Sequence, residues 1–139
     1  MINYLNSLGK KSQDAFKNMI DNKTKNKVLD KFVFLIEKEK KLITKENNKD
    51  INLAIKKKLK ENLIDRLLLN SVKLNGIQSA IKNISKLKDP IDVTLHKWRR
   101  PNGLIIKKIS IPIGVIGIIF ESRPNVTSDV SSLCFKSGN

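Results

Sequence analysis

Arg123 and Asn125, in the run Glu121-Ser122-Arg123-Pro124-Asn125-Val126-Thr127, are the residues whose types and placement point most directly to chemistry. Arginine presents a planar fork of donors that matches a phosphate or a carboxylate. Both residues follow the apolar stretch Gly114 to Phe120, which reads as a strand. Open α/β sheets bind their ligands just beyond the carboxyl ends of such strands. Plainer uses stand beside these: Arg123 in a surface ion pair with Glu121, and Asn125 as a turn or cap residue after Pro124.

Two other residue types invite a chemical reading. Cys134 is the sole thiol, so it forms no internal disulfide and no metal site alone. It lies in Ser-Ser-Leu-Cys-Phe-Lys, within a short helix whose apolar face should pack on a sheet, and no His is near it in sequence. A buried cysteine of that kind is inert. His96, the sole histidine, stands beside Trp98 in a predicted hairpin strand, with no nucleophile to serve. Gly114 and Gly117 form only G-x-x-G, short of the dinucleotide fingerprint G-x-G-x-x-G.

The elements that must position these residues fall into three parts. Residues 1–88 read as helices. Apolar residues recur at three- and four-residue spacing over Tyr4–Ile20, Thr24–Leu42, Ile43–Leu59, the segment Lys-Glu-Asn-Leu-Ile-Asp-Arg-Leu-Leu-Leu, and Ser71–Leu87. Thr24 or Asn22 is the expected cap of the second helix. Residues 89–111 read as a β-hairpin, with β-branched arms around the turn Pro101-Asn102-Gly103. Residues 112–139 read as a strand, a turn and a helix of about Val130 to Lys136, capped by Thr127, Ser128 or Asp129 and stopped by Ser137-Gly138. Because Gly114 to Phe120 shows no polar alternation, it should be buried on both faces, as in a parallel sheet. No second parallel strand is legible. The fold class is α/β: N-terminal helices, a β-hairpin, then the first strand and helix of an incomplete Rossmann-like cofactor domain.

Composition narrows the setting. The apolar run Ile109 to Phe120 is too short to cross a membrane, which takes about 20 residues. The N-terminus has no signal-peptide pattern, so a cytoplasmic protein is expected. The net charge is +15, from 28 basic and 13 acidic residues. A basic nucleic-acid-binding protein is the least favoured reading. The lysines are scattered along helices, aromatics are 5%, and only four basic residues are Arg.

The tail Pro-Ile-Gly-Val-Ile-Gly-Ile-Ile-Phe-Glu-Ser-Arg-Pro-Asn-Val-Thr-Ser-Asp-Val-Ser-Ser-Leu-Cys-Phe-Lys-Ser-Gly-Asn resembles the gamma-glutamyl phosphate reductases (glutamate-5-semialdehyde dehydrogenases) of the aldehyde dehydrogenase superfamily. Glu-Ser-Arg-Pro-Asn-Val-Thr is its specific part. The stretches Asn-Lys-Asp-Ile-Asn-Leu-Ala-Ile, Leu-Ile-Asp-Arg-Leu-Leu-Leu-Asn-Ser-Val-Lys-Leu-Asn-Gly-Ile and Asp89 to Val115 also resemble that family. The resemblance covers the whole chain but only about the first third of the family's usual length.

It implies NADPH-dependent reduction of L-glutamyl 5-phosphate to L-glutamate 5-semialdehyde and phosphate, in proline biosynthesis. The expected cofactor is NADP(H), and the nucleophilic cysteine should lie beyond Asn139, so the chain alone should be inactive. By the same resemblance Asn125 is the candidate oxyanion donor, Arg123 contacts the substrate's phosphate or carboxylate, and Phe120, Glu121 and Ser122 flank the nicotinamide. The hairpin, with Val93, Leu95 and Trp98, should join a second copy of the chain, and glutamate 5-kinase is the other partner suggested. The alternative is a catalytically silent relic or one half of a split enzyme, acting only by oligomerisation.

Overall fold

The computed structural model describes residues 2–18, 20–121 and 123–139. Six helices and one antiparallel hairpin follow in order: α1 (Ile2–Phe16), α2 (Asn22–Lys38), α3 (Lys40–Lys56), α4 (Glu61–Leu67), α5 (Ser71–Lys86), β1 (Thr94–Arg99), β2 (Ile105–Ile109) and α6 (Pro124–Lys136). The mixed α/β class and the five helices before the hairpin match the periodicity of the sequence.

The core is the seam between α2 and α5. Leu29, Val33 and Ile36 recur at helical spacing on α2, and Leu74, Ile77, Ile81 and Ile84 do so on α5. Phe32, Ile43, Leu69 and Phe135 close its edges. Each aliphatic side chain buried there contributes about 1.5–3 kcal/mol. The second helix is capped one residue earlier than expected. Asp21, not Asn22 or Thr24, accepts from the Thr24 N–H at 2.9 Å and from its hydroxyl at 2.6 Å. These two donors hold the exposed Asp21 carboxyl below its ordinary 3.8.

Buried Asn47 on α3 fixes the end of α4. Its amide donates to the Leu67 carbonyl at 2.9 Å and its oxygen accepts from the Leu69 N–H at 2.7 Å. Two backbone groups that the short helix leaves unpaired are thereby satisfied. Asn70 then caps α5 through the Lys73 N–H.

The hairpin forms as read, with a bulge between Thr94 and His96 and Trp98 opposite Ile106. Gly103 takes φ +85° in its turn. Both strands are largely exposed, and His96 is among the exposed residues.

The third part differs from expectation. Gly114 to Phe120 forms no strand among the described residues, and the described sheet has two strands, β1 and β2. The segment is not buried on both faces either: Ile113 and Ile119 are exposed, and Val115, Ile116, Ile118 and Phe120 are nearly half so. A strand exists through its neighbour's hydrogen bonds, and among the described residues the segment's one such bond runs from the Gly114 N–H to Asn139 Oδ1, at 2.9 Å.

Helix α6 starts at Pro124, six residues before Val130, because proline's fixed φ suits a first helical position. Thr127, Ser128 and Asp129 therefore lie inside the helix and do not cap it. Its inward face is not apolar against a sheet. Ser128, Ser132 and Lys136, one turn apart, are buried toward α5 and α2. Among the described residues no helix is long and apolar enough to cross a membrane.

Lys136 anchors that face. Its ammonium, only 2% exposed as a residue, donates to Asn22 Oδ1 at 2.7 Å, Asn26 Oδ1 at 2.5 Å and the Ser85 carbonyl at 3.0 Å. Next to it Lys25, equally buried, pairs with Asp89 at 2.9 Å. These two lysines depart from the solvated pattern that the lysine-rich helices otherwise follow.

Candidate functional site

Arg123 and Asn125 come together at the start of α6, on the rim of a pocket of about 530 Å³. The pocket lies between the end of α4, one side of α5 and the first turns of α6. Arg66, Leu68 and Leu69 come from α4 and the residues after it, Lys73, Gly76 and Ile77 from α5, and Arg123, Asn125 and Asp129 from the beginning of α6. Three cationic side chains therefore share one opening with the amino end of a helix. That end carries partial positive charge and unpaired N–H groups. The arrangement suits an anion.

The partners of each side chain refine this. Lys73 is engaged: its ammonium meets the Asp65 carbonyl and lies 3.4 Å from Asp65 Oδ1. Arg66 and Arg123 have no carboxylate partner among the described residues, so the ion pair of Arg123 with Glu121 does not form. Arg123 occupies the N-cap position without a side-chain capping bond. Asn125 is exposed, and its amide donates to Asp129 Oδ2 over 3.3 Å. Asp129 Oδ1 is buried and accepts no hydrogen bond among the described residues.

Arg66, Lys73 and Asp129 were not among the site residues read from the sequence. Arg66 carried one signal, being one of four arginines in a lysine-rich chain. Asp129 was masked by its suitability as a helix cap. Phe120 and Glu121 precede the pocket on the exposed segment, and Ser122 lies outside the described residues.

Cys134 lies away from this pocket. It is half-buried, not fully buried, and lines a second, mostly apolar pocket of about 310 Å³ with Phe16, Ile91, Val115, Ile116 and Phe135. Lys25 also borders that space, but its ammonium is held by Asp89. Among the described residues no His lines that space with the thiol. Among the described residues no group of three or more His, Cys, Asp or Glu could hold a metal ion.

No family model matches the chain. Curated relatives do. The gamma-glutamyl phosphate reductase of Nautilia profundicola is 45% identical over 120 residues, 86% of this chain and 29% of that protein. That of a Nitratiruptor species is 49% identical over 120 residues, with the same coverage of each. That of Caldanaerobacter subterraneus is 42% identical over 132 residues, 94% of this chain and 32% of the relative. Two crystal structures agree. The gamma-glutamyl phosphate reductase of Thermotoga maritima superposes with a TM-score of 0.86 at 37% identity, over 93% of this chain and 31% of that one. The Saccharomyces cerevisiae enzyme gives 0.84 at 28% identity, over 93% and 33%. The chain thus spans about a third of the length of the relatives it matches. With sequence and fold in agreement, the chain belongs with the gamma-glutamyl phosphate reductases, as a match to the N-terminal part of their fold.

Proposed function

We propose that this chain supplies the N-terminal portion of a gamma-glutamyl phosphate reductase. The reaction is reduction of L-glutamyl 5-phosphate to L-glutamate 5-semialdehyde with release of phosphate, a step of proline biosynthesis in the cytoplasm. A nicotinamide cofactor, NADP(H), would supply the hydride. The observation that carries this reading is the convergence of Arg66, Arg123 and Asn125 on one pocket at the start of α6.

The two guanidinium groups suit the anionic groups of an acyl phosphate substrate. The Asn125 amide, held only by a long hydrogen bond to Asp129, is free to turn toward an oxygen that becomes negative when the acyl carbon is attacked. Cys134 is unsuited to that attack. The nucleophilic thiolate is assigned to the part of the reductase fold that these residues do not span. Its attack expels phosphate and leaves a thioester for reduction. Residues Phe120 to Ser122 are proposed to flank the cofactor through their backbone.

Association of two copies through the hairpin is supported by the partly exposed Leu95, Trp98, Ile105 and Ile109. Glutamate 5-kinase is the other proposed partner, because an acyl phosphate hydrolyses in water and gains from a short transfer. Acting by oligomerisation alone, without catalysis, is the competing role.

An assay in cell extract tests the reading. NADPH oxidation is coupled to glutamate 5-kinase, which makes the acyl phosphate in place, and extracts with and without the gene are compared. Gene-dependent oxidation is expected, falling by about tenfold or more with Arg123→Ala. Oxidation independent of the gene would remove the reductase reading and leave only association.

A further inference from the structure

The two guanidinium groups of the anion pocket stand on different elements, Arg66 on α4 and Arg123 at the start of α6. Their separation therefore depends on where α6 lies along α5. The face of α6 buried toward α5 and α2 does little to fix that position. Ser128 gives its hydroxyl to its own helix, donating to the Asn125 carbonyl at 2.7 Å, and the Ser132 hydroxyl has no partner among the described residues. Such small side chains raise no ridge to lock into a neighbouring groove, and the Phe135 contact with the core is non-directional. Among the described residues, every hydrogen bond from α6 to another helix comes from the Lys136 ammonium. It reaches Asn22 and Asn26 of α2 and the Ser85 carbonyl of α5.

We infer that Lys136 is a positioning residue for the anion pocket: its charged ammonium fixes α6 along its axis, and so holds Arg123 and Asn125 against Arg66. This rests on the anion-binding reading above and adds to it the group that sets the site's geometry from the opposite end of the helix. An ammonium has three donors, and here they meet three neutral oxygens. Loss of its proton removes one donor and the charge that strengthens the other two. The charged groups facing it are Lys25 on α2 and Asp89 just after α5. Burial lowers its proton affinity from the ordinary lysine value; the Asp89 charge opposes this and the Lys25 charge adds to it. The anchor is therefore released below the ordinary lysine range.

NMR titrations of the 139-residue chain with inorganic sulfate test this across alkaline pH, where sulfate keeps its own charge. The Cζ carbons of Arg66 and Arg123 report binding, and the Lys136 Cε carbon reports its proton. Sulfate affinity should fall by about tenfold, the scale of one charged hydrogen bond, with the same midpoint as the Lys136 titration. Asn26→Asp, at a position outside the pocket lining, places a carboxylate beside the ammonium and should move both midpoints up together. Lys136→Met should bind sulfate about tenfold more weakly at neutral pH and lose the transition. If that variant fails to fold, Asn26→Asp, which keeps the ammonium, decides the matter. A sulfate midpoint that stays in place while the Lys136 midpoint moves would overturn the inference. So would a folded Lys136→Met that binds sulfate as the wild type does, and either result leaves the anion site intact. If sulfate shifts neither arginine, the anion site falls and this inference falls with it.

Discussion

Asn47 on α3 and Leu69 just after α4 are joined by a 2.7 Å hydrogen bond from the Leu69 N–H to Asn47 Oδ1. The other end of the same amide donates to the Leu67 carbonyl. One buried side chain thus holds both flanks of Leu68, two residues beyond Arg66. A seven-residue helix is too short to be stable alone, so this clamp determines where Arg66 stands on the pocket.

Asn47→Leu should therefore destabilise the fold by about 2–4 kcal/mol, because two buried backbone groups lose their partners. Urea unfolding measures that cost. Phosphate titration should also lose its response at Arg66 while keeping that at Arg123. A variant that keeps the Arg66 response would show that α4 is held by packing instead.

Stability should fall as pH drops through the carboxylate range and should rise with pH over the alkaline range in which Lys136 loses its proton. Burial pushes the Asp89 carboxyl up, but the Lys25 hydrogen bond, the Ile91 N–H and the charges of Lys25 and Lys136 together bring it below its ordinary 3.8. Its contribution is present above that range and is lost as pH falls through the lowered value. For Lys136, burial lowers the ammonium from its ordinary 10.5, with repulsion from Lys25 adding to this against the attraction of Asp89. A lowered lysine disfavours the folded state while charged, so stability should rise with pH from its folded value up to the ordinary 10.5. Asp89→Asn should flatten the acid limb and cost about 2–4 kcal/mol, since it strands a buried lysine. A pH-stability profile unchanged by that substitution would contradict the role of the pair.

Gly138 takes φ +73°, and a Cβ there would lie 2.2 Å from the end of the Ile91 side chain. Gly138→Ala should cost about 1–2 kcal/mol, from the left-handed backbone and from displacing a flexible isoleucine tip. Thermal melts compared with Gly76→Ala, where a Cβ meets nothing, separate these effects from general helix propensity.

Ile119 is fully exposed and Ile113 nearly so, on a segment whose backbone is mostly unpaired. Such a segment is a template for other strands. Ile119→Asp should leave the melting transition unchanged and lower self-association in sedimentation velocity. Equal association of both proteins would direct attention to the hairpin.

The sequence by itself determined the local elements. Leu74, Ile77, Ile81 and Ile84 fall on one helical face whatever surrounds them, and Asn102-Gly103 suits a tight turn between β-branched arms. Even the excess of lysine was legible as solvated helix surface, with Lys25 and Lys136 the two exceptions, each drawn inward by partners from distant parts of the chain.

Only the tertiary structure decided the rest. Gly114 to Phe120 has the composition of a buried strand, yet a strand is a relation between segments, and none of the described residues pairs with it as a neighbouring strand. Arg66 and Asp129 are 63 positions apart in the chain and share a pocket only where α4, α5 and α6 meet. Spacing reports which residues share a face of one helix. Which faces meet, and which charges are left without partners between them, is set by packing across the whole fold.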